Sequence, residues 1–331
     1  MSASPDHDNS ASPTLDIHHA DNLAVLPTLP DGAFHLIYID PPFNTGKTQS
    51  RTRTRTTCVS SAPDRDGESD KGRGGDDNEQ DKVQPGDRTG YAGRRYRTEV
   101  LGRQSFADRF DDYLAFLAPR LEHAVRLLHP QGSLFVHLDY REVHAVKLLL
   151  DDLLGRDAFI NEIIWAYDYG GRSRSRWSAK HDNILWYARD PAHYTYNYDA
   201  IDRIPYMAPS LVTPEKAARG KTPTDVWWHT IVSPTGREKT GYPTQKPLGI
   251  MNRIVRVHSN PGDRVLDFFA GSGTTGEAAV RNGRSAVLID SHADAIAVMR
   301  ERLAFAKPTI HRPRGASNDQ SASPASSTLA E

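Results

Sequence analysis

The sequence has 331 residues with 41 basic and 42 acidic side chains, so its formal net charge is −1 and it is not a uniform polycation. This length predicts one large α/β core with insertions rather than two independent domains. The single cysteine, Cys58, excludes an internal disulfide and a multi-cysteine zinc site, and we expect no metal. The sequence contains no run of about 18 apolar residues, so we predict no membrane-spanning helix.

The chain begins with a polar, acidic segment, residues 1–13, which we predict to be disordered. It lacks a basic region followed by an apolar one, so we expect no export signal and a cytoplasmic protein. A low-complexity insertion at 47–95 and a tail at 307–331 are also predicted to be disordered, because they contain almost nothing to bury. Arg51, Arg53 and Arg55 either contact phosphate or belong to a solvated charge run, which is the stronger interpretation.

Outside these segments, short apolar strands alternate with amphipathic helices. The predicted strands are 34–40, 133–139, 163–167, 184–188, 264–269 and 285–290, and the predicted helices are 111–128, 141–154, 248–258, 274–282 and 293–304. The strands at 163–167 and 184–188 are predicted to pair with each other. This alternation predicts an α/β fold with a mostly parallel, doubly wound sheet, in which ligands bind beyond the carboxyl ends of the strands.

The tetrapeptide Asp40-Pro-Pro-Phe43 directly follows the first of these strands. Pro41 and Pro42 fix the φ angle and lack N–H donors, so the chain leaves the strand stiffly with its carbonyl groups free to accept hydrogen bonds. Together with the Asp40 carboxylate and the Phe43 ring, these carbonyls suit an aromatic amine. Acceptors placed for both N–H groups of the amine favour a tetrahedral nitrogen whose lone pair can attack. By itself, however, Asp-Pro-Pro is an ordinary turn sequence.

A glycine-rich turn, Asp267-Phe-Phe-Ala-Gly-Ser-Gly273, links a predicted strand to a helix. Gly271 and Gly273 allow a ligand to approach backbone that a Cβ would block. Asp290 ends the following strand, where a carboxylate can accept hydrogen bonds from both hydroxyls of a ribose, so the pair predicts a nucleoside cofactor. With Gly276 the turn also satisfies the bare pattern of a nicotinamide dinucleotide site, and a tight turn can need glycine for structural reasons alone.

The diproline and glycine motifs, in this order, resemble those of the DNA amino-methyltransferases, and of their β group in particular. Residues 20–26 and the segment Tyr242-Pro-Thr-Gln-Lys-Pro247 add further matches, so the resemblance covers 16–304 apart from the insertion. It implies a Rossmann-like, S-adenosylmethionine-dependent methyltransferase fold with circularly permuted motifs. The catalytic domain is expected at 14–168 and 242–306, with an inserted target-recognition region at 169–241.

Carried over residue by residue, the resemblance implies that Asp40 and the Pro41 carbonyl accept the two N–H groups of the target amine. Phe43 is implied to stack on a flipped-out base, and Pro42 completes the catalytic motif. The residues implied to bind the cofactor S-adenosyl-L-methionine are Asp21, Thr244, Gln245, Lys246, Asp267, Phe269, Gly271, Gly273, Thr274 and Asp290. Asp290 is placed at the ribose, Asp21 near the adenine and Lys246 near the methionine part. An ordinary helix cap is the alternative for Asp21.

The middle of the chain is rich in aromatic residues and holds all five tryptophans: Trp165, Trp177, Trp186, Trp227 and Trp228. Within it, a loop at 170–177 places Arg172, Arg174 and Arg176 at alternate positions, where they either contact DNA or belong to a mobile surface loop. The implied partner is double-stranded DNA. An accompanying restriction endonuclease and a homodimer are left open.

Asp at position 40 favours methylation of adenine N6, because the cytosine-N4 members of the family more often carry Ser there. Cytosine-N4 methylation is the nearest alternative. Two alternatives come from other classes of protein. A DNA-binding regulator without turnover would leave the intact Asp40 motif and glycine motif unexplained, and a nicotinamide-dependent oxidoreductase would leave Asp-Pro-Pro-Phe without a purpose.

Overall fold

The computed structural model describes residues 12–45, 47–60, 87–89, 95–108, 110–233 and 236–312, and it describes side chains only outside 46–109. The chain divides into two compact units. The larger unit consists of Met1–Thr45 with Phe110–Glu331, and the smaller unit is Gly46–Arg109.

Strands and helices alternate through most of the described residues. The strands are β1 (Leu15–His19), β2 (Phe34–Ile39), β3 (Lys47–Ser60), β4 (Asp87–Thr89), β5 (Arg95–Asp108), β6 (Leu128–Leu138), β7 (Phe159–Ala166), β8 (His181–Ala188), β9 (Val226–Trp228), β10 (Arg264–Asp267), β11 (Ser285–Asp290) and β12 (Thr309–His311). The α-helices are α1 (Asn22–Val25), α2 (Tyr113–Leu127), α3 (Val143–Leu154), α4 (Pro214–Arg219), α5 (Leu248–His258), α6 (Thr274–Arg281) and α7 (Ala293–Arg302).

The larger unit is built on a nine-stranded sheet with the order β12-β1-β11-β10-β2-β6-β8-β7-β9. Neighbouring strands from β12 to β6 are parallel, and β7 and β9 are also parallel. Only β8 runs against its neighbours, pairing antiparallel with β6 and β7. The predicted α/β fold with a mostly parallel sheet is therefore confirmed, as is the pairing of the strands predicted at 163–167 and 184–188.

Apolar residues pack on both faces of this sheet, as expected for a doubly wound fold. Along β2, Leu36 and Tyr38 point to one face, where buried residues of α5, α6 and α7 join the same cluster. Ile37 and Ile39 point to the other face and pack with buried residues of α2 and α3. Burial on both faces explains why β2 is apolar apart from His35 and is followed by a polar residue, Asp40.

The structure differs from the predicted disorder at two places. In the smaller unit, β3 and β5 form a long antiparallel pair joined by β4 in a three-stranded sheet, although composition predicted disorder for 47–95. Threonine alternates with arginine at 51–56, and β-branched residues favour extended backbone even where little is buried. In the tail, β12 pairs parallel with β1 through Ile310, the apolar residue of that stretch.

Parts of the three predicted disordered segments, namely 1–11, 61–86, 90–94 and 313–331, lie outside the described residues, as do the side chains of Arg51, Arg53 and Arg55. Among the residues that are described, no helix has both the length and the apolar character needed to cross a membrane.

Candidate active site

The diproline corner and the glycine turn follow two adjacent strands. β2 and β10 pair in parallel, with Leu36 opposite Val265, so their carboxyl ends lie at the same edge of the sheet. Asp40 follows β2 and Asp267 ends β10. On the far side of β10 is β11, which ends at Asp290. The strand order thus places Asp40, Asp267 and Asp290 at the same edge of the sheet.

Asp40 forms an ion pair with Lys246, which precedes α5. The Lys246 Nζ atom lies 2.6 Å from Asp40 Oδ2, and the two side chains are only 11% and 17% exposed. The same ammonium group lies 4.9 Å from the centroid of the Phe43 ring. Asp40 Oδ1 is buried and has no hydrogen-bond partner among the described residues. One carboxylate oxygen is therefore held by Lys246 while the other retains its capacity to accept.

A buried hydrogen-bonded chain, Tyr38–His137–Asp182–Tyr167, lies beside Asp40. His137 Nδ1 is 2.6 Å from the Tyr38 hydroxyl, and His137 Nε2 is 3.1 Å from Asp182 Oδ2. The Tyr167 hydroxyl donates to Asp182 Oδ1 at 3.0 Å. His137 Nδ1 also lies 4.0 Å from Asp40 Oδ1. This chain was not predicted from the sequence, although polar residues at the end of the predicted strand 133–139 could have indicated it.

Within this chain, Tyr38 and Asp182 have shifted pKa values. Burial, with the charges of Asp40, Asp267 and Asp182 nearby, raises the pKa of Tyr38 well above its ordinary value. Burial alone would also raise the pKa of Asp182, but His137, the Lys246 ammonium and the Tyr167 hydroxyl together lower it. Tyr38 therefore keeps its proton and Asp182 keeps its charge at neutral pH.

Asp267 organises the start of the glycine turn from a buried position. Its Oδ1 atom accepts from the Phe269 N–H at 3.0 Å, and its Oδ2 atom accepts from the Thr275 hydroxyl at 2.7 Å. Burial, with the charges of Asp40 and Asp290 nearby, raises the pKa of Asp267 to about 7. Through these two hydrogen bonds Asp267 stabilises the conformation of the turn.

The two glycines of the turn have different environments. Gly271 has φ +49°, and its N–H donates to Asp290 Oδ2 at 2.9 Å. Gly273 has φ +76°, but a Cβ there would lie 2.8 Å from Met299 Cγ of α7. The expectation that Gly273 keeps space for a ligand is therefore corrected, because the space that it keeps is filled by α7.

The segment before α5 is held by its own side chains. Gln245 Oε1 accepts from the Thr240 N–H at 2.9 Å, and Gln245 Nε2 donates to the Glu238 carbonyl at 2.8 Å. Thr244 has a positive φ of 60°. The Lys246 carbonyl accepts from the Thr274 hydroxyl at 3.1 Å. The resemblance placed Lys246 near the methionine part of the cofactor, whereas here its ammonium group lies on Asp40.

Asp21 is the N-cap of α1, accepting from the Leu23 N–H at 2.8 Å, and lies 3.7 Å from Arg120. The helix-cap alternative is thus observed for Asp21. Farther along the chain, Arg172, Arg174 and Arg176 are all exposed, and Arg172 is paired with Asp168.

Residues 34–301 match the sequence family described as DNA methylase. The chain belongs to this DNA methylase family. Over 195 residues the chain is 33% identical to the type II methyltransferase M.HpaI of Haemophilus parainfluenzae, covering 59% of this chain and 60% of that relative. Over 201 residues it is 30% identical to the DNA adenine methyltransferase YhdJ of Escherichia coli strain K12, covering 58% of this chain and 67% of that relative. The aligned part thus spans about three fifths of the first relative's length.

In three dimensions the chain resembles the M1.HpyAVI–SAM complex, with a TM-score of 0.51 at 19% identity, covering 87% of this chain and 98% of that one. This likeness confirms the fold. The predicted family and the predicted methyltransferase fold are therefore both confirmed.

The residues around the glycine turn fit S-adenosylmethionine. Asp290 accepts from the Gly271 N–H and, through Oδ1, from the N–H and ring of His292, so it retains acceptor capacity for a ribose hydroxyl. The turn leads into the N-terminus of α6, and the N–H groups at the start of a helix favour a carboxylate such as that of the methionine part. The part-buried ring of Phe269 adds an apolar surface next to the turn.

Proposed function

We propose that this methylase is a site-specific DNA methyltransferase that transfers a methyl group from S-adenosyl-L-methionine to the N6 amine of adenine in a flipped-out base. The observation that carries the proposal is the buried Asp40 Oδ1 atom, an acceptor without a partner among the described residues, at the diproline corner next to the glycine turn. The similarity to a relative named DNA adenine methyltransferase supports adenine as the target.

In this mechanism the chain prepares the amine for attack. When bound, S-adenosylmethionine supplies an electrophilic methyl group. Asp40 and the Pro41 carbonyl accept the two N–H groups of the base amine, which frees the nitrogen lone pair from the ring. Lys246 fixes one oxygen of Asp40, so the other oxygen faces the amine without a rearrangement at the moment of reaction. Phe43 provides the stacking surface for the base.

The cofactor is assigned to the turn after β10 and its neighbours. Asp290 binds the ribose, Phe269 and Gly271 line the cofactor, and Asp21 lies toward its adenine. Asp267, Gly273, Thr274 and Gln245 support this site through the contacts described above. Thr244 and Lys246 belong to the same site, with Lys246 also holding Asp40.

DNA is assigned to the region 169–241. The loop that holds Arg174 and Arg176 ends at Trp177, which is 99% exposed, and Trp228 at the sheet edge is 74% exposed. Exposed arginines beside exposed aromatic rings suit phosphate contacts and base stacking. Arg172 contributes less because Asp168 neutralises it.

Labelled cofactor and unmethylated genomic DNA test the proposal with purified protein. The DNA is digested to nucleosides, and label is expected in N6-methyldeoxyadenosine. Label in N4-methyldeoxycytidine would assign the enzyme to cytosine, and no label despite measured cofactor binding would favour a regulator without turnover. Asp40→Asn should abolish transfer, while Asp152→Asn, which changes an exposed carboxylate on α3, is the matched control.

A further inference from the structure

The buried chain Tyr38–His137–Asp182–Tyr167 has no role in the mechanism above. His137 is completely buried, at 0% exposure, and lies on β6 directly beside the diproline corner. Buried polar groups of this kind are costly unless they are hydrogen-bonded, and here each has a partner. Because this chain lies next to the carboxylate proposed to react, its hydrogen bonds can also carry a chemical role.

The partners of His137 determine where its ring carries a proton. Tyr38 keeps its proton and donates to Nδ1, since its pKa is raised by burial and by nearby carboxylates. Asp182 remains ionised and accepts from Nε2, since its pKa is lowered. A neutral His137 therefore carries its proton on Nε2, and its Nδ1 lone pair is the basic site.

His137 Nδ1, which accepts from Tyr38 in the resting state, also lies near the side of Asp40 that the base amine would use. Asp40 Oδ2 is occupied by the Lys246 ammonium at 2.6 Å, so the amine must donate to Oδ1. His137 Nδ1 lies 4.0 Å from Oδ1, about 1 Å beyond a hydrogen bond. A small side-chain movement therefore connects the amine acceptor to an imidazole base.

We propose that His137, backed by Asp182, receives the proton that the base amine loses on methylation. The inference rests on the proposed function. The amine nitrogen bonds to the methyl carbon as the carbon–sulfur bond breaks toward sulfur. One N–H bond then breaks with its electron pair left on nitrogen, and the proton moves to Asp40 Oδ1 and onward to His137 Nδ1. Tyr38 turns its hydroxyl so that its oxygen accepts from the new Nδ1–H.

The charges around His137 favour this direction of transfer. The Lys246 ammonium group lies 2.6 Å from Asp40 Oδ2, so a positive charge is already next to the carboxylate that first receives the proton. An imidazole is a stronger base than a carboxylate by about two pKa units in water. The resulting imidazolium lies between the carboxylates of Asp182 and Asp40, at 3.1 and 4.0 Å. Because His137 acts through Asp40, it is a positioning residue, as is Asp182.

The variant Asp182→Asn tests the proposal with little change of shape. It removes the negative charge that stabilises the imidazolium, and the new amide can donate to Nε2 and move the ring proton to Nδ1. The single-turnover rate of methyl transfer to unmethylated genomic DNA should fall by about 100-fold, the lower end of the range expected for loss of acid–base assistance. The dissociation constants for S-adenosylmethionine and DNA should not change.

Tyr187→Phe is the matched control, because it removes the hydroxyl of a tyrosine at the other end of β8, which donates to a different carboxylate, that of Asp151. Its single-turnover rate should stay close to that of the wild type. Nitrogen-15 NMR of histidine-labelled wild-type protein, with His137→Gln used for assignment, should show the His137 proton on Nε2. This measurement tests the proposal even where a variant fails to fold.

Two results would overturn the proposal. One is a proton on Nδ1 in the wild type, and the other is an Asp182→Asn rate equal to that of the wild type or lost only through weaker binding. The proposed function fails in a different way: wild-type protein that transfers no label to DNA contradicts the methyltransferase assignment itself.

Discussion

Asp40 and Lys246 are 206 positions apart in the chain and form a largely desolvated ion pair. Desolvation makes each charge costly unless the other is present, so the pair fixes the geometry of the carboxylate. The diproline corner limits the backbone from which Asp40 projects. At the scale of single residues, the site therefore consists of a carboxylate that has one oxygen bound to Lys246 and the other without a hydrogen-bond partner among the described residues.

Arg174→Ala and Arg176→Ala should weaken DNA binding without affecting cofactor binding. Each substitution removes one exposed cationic side chain. It should therefore reduce the slope of log Kd against log salt concentration by about 0.9 for each phosphate contact that is lost. Fluorescence anisotropy over a salt series measures both quantities. Arg172→Ala is the control with a smaller expected effect, because Asp168 already neutralises that charge. Equal effects of all three substitutions would contradict the assignment.

Asp267→Asn should change how stability depends on pH. Burial raises the folded-state pKa of Asp267 to about 7, above the ordinary carboxyl value of about 3.9. The folded state therefore holds a proton that the unfolded state has lost, and this contribution to the free energy of unfolding is present at acidic pH and is lost as the pH rises through about 7.

The melting temperature of Asp267→Asn should consequently rise relative to the wild type between about pH 4 and about pH 7. Thermal unfolding monitored by circular dichroism across this range provides the comparison. A constant difference between the two proteins would show that Asp267 titrates at its ordinary pH.

The motifs of the candidate site could be predicted from the sequence, but their contacts could not. Asp40, Gly271 and Asp290 stand out because residue type and position after a strand are visible in a linear pattern. The pairing of Lys246 with Asp40 and the buried His137 depend on which strands become neighbours, which the linear pattern leaves open. For the same reason, Gly273 was interpreted as part of a ligand site before α7 was seen to fill the space beside it.

At the scale of elements, the start of α6 explains a stability requirement. Gly273 has a left-handed φ, and a Cβ at this position would lie within 3.0 Å of the side chains of Met299 in α7 and of Leu303, which follows α7. Gly273→Ala should therefore reduce the free energy of unfolding by about 2–5 kcal/mol, from left-handed strain and overpacking together. Chemical denaturation measures this loss.

Gly283→Ala is the matched control. Gly283 has a similar φ of +82°, but a Cβ there would meet only Pro261 at 3.6 Å, an ordinary contact. It should cost about 1–2 kcal/mol from backbone strain alone. A Gly273→Ala protein as stable as Gly283→Ala, but unable to bind S-adenosylmethionine, would restore the earlier interpretation of Gly273 as a ligand contact.

Elements with strong apolar periodicity were predicted well. The strand predicted at 34–40 is β2, Phe34–Ile39, and the helix predicted at 111–128 is α2, Tyr113–Leu127, which begins after Asp112 caps the Ala115 N–H. Six of the described strands, namely β1, β3, β4, β5, β9 and β12, were not predicted because their sequences are polar or short. Such segments give no clear apolar pattern, so their pairing with other strands is not visible in the sequence.

At the scale of the whole molecule, the smaller unit, Gly46–Arg109, is inserted in the sequence of the larger unit three positions after Phe43. Within the larger unit, Asn44 Oδ1 accepts from the Phe110 N–H at 3.0 Å, so the two chain ends that flank Gly46–Arg109 are adjacent. Replacement of 46–109 by a short glycine–serine linker should therefore leave cofactor affinity and the melting temperature of the larger unit unchanged. Calorimetry and thermal unfolding measure these values, and loss of cofactor binding in a folded deletion protein would contradict the expectation.

The central claim is that the Asp40 carboxylate, placed beside the glycine turn, activates the N6 amine of adenine. Sequencing of modified bases in a methylation-deficient host that expresses the wild type or Asp40→Asn tests it most directly. The account predicts N6-methyladenine at one recurring sequence in cells with the wild type and none in cells with an Asp40→Asn protein that still binds S-adenosylmethionine. N6-methyladenine at wild-type levels with Asp40→Asn, or N4-methylcytosine with the wild type, would contradict it.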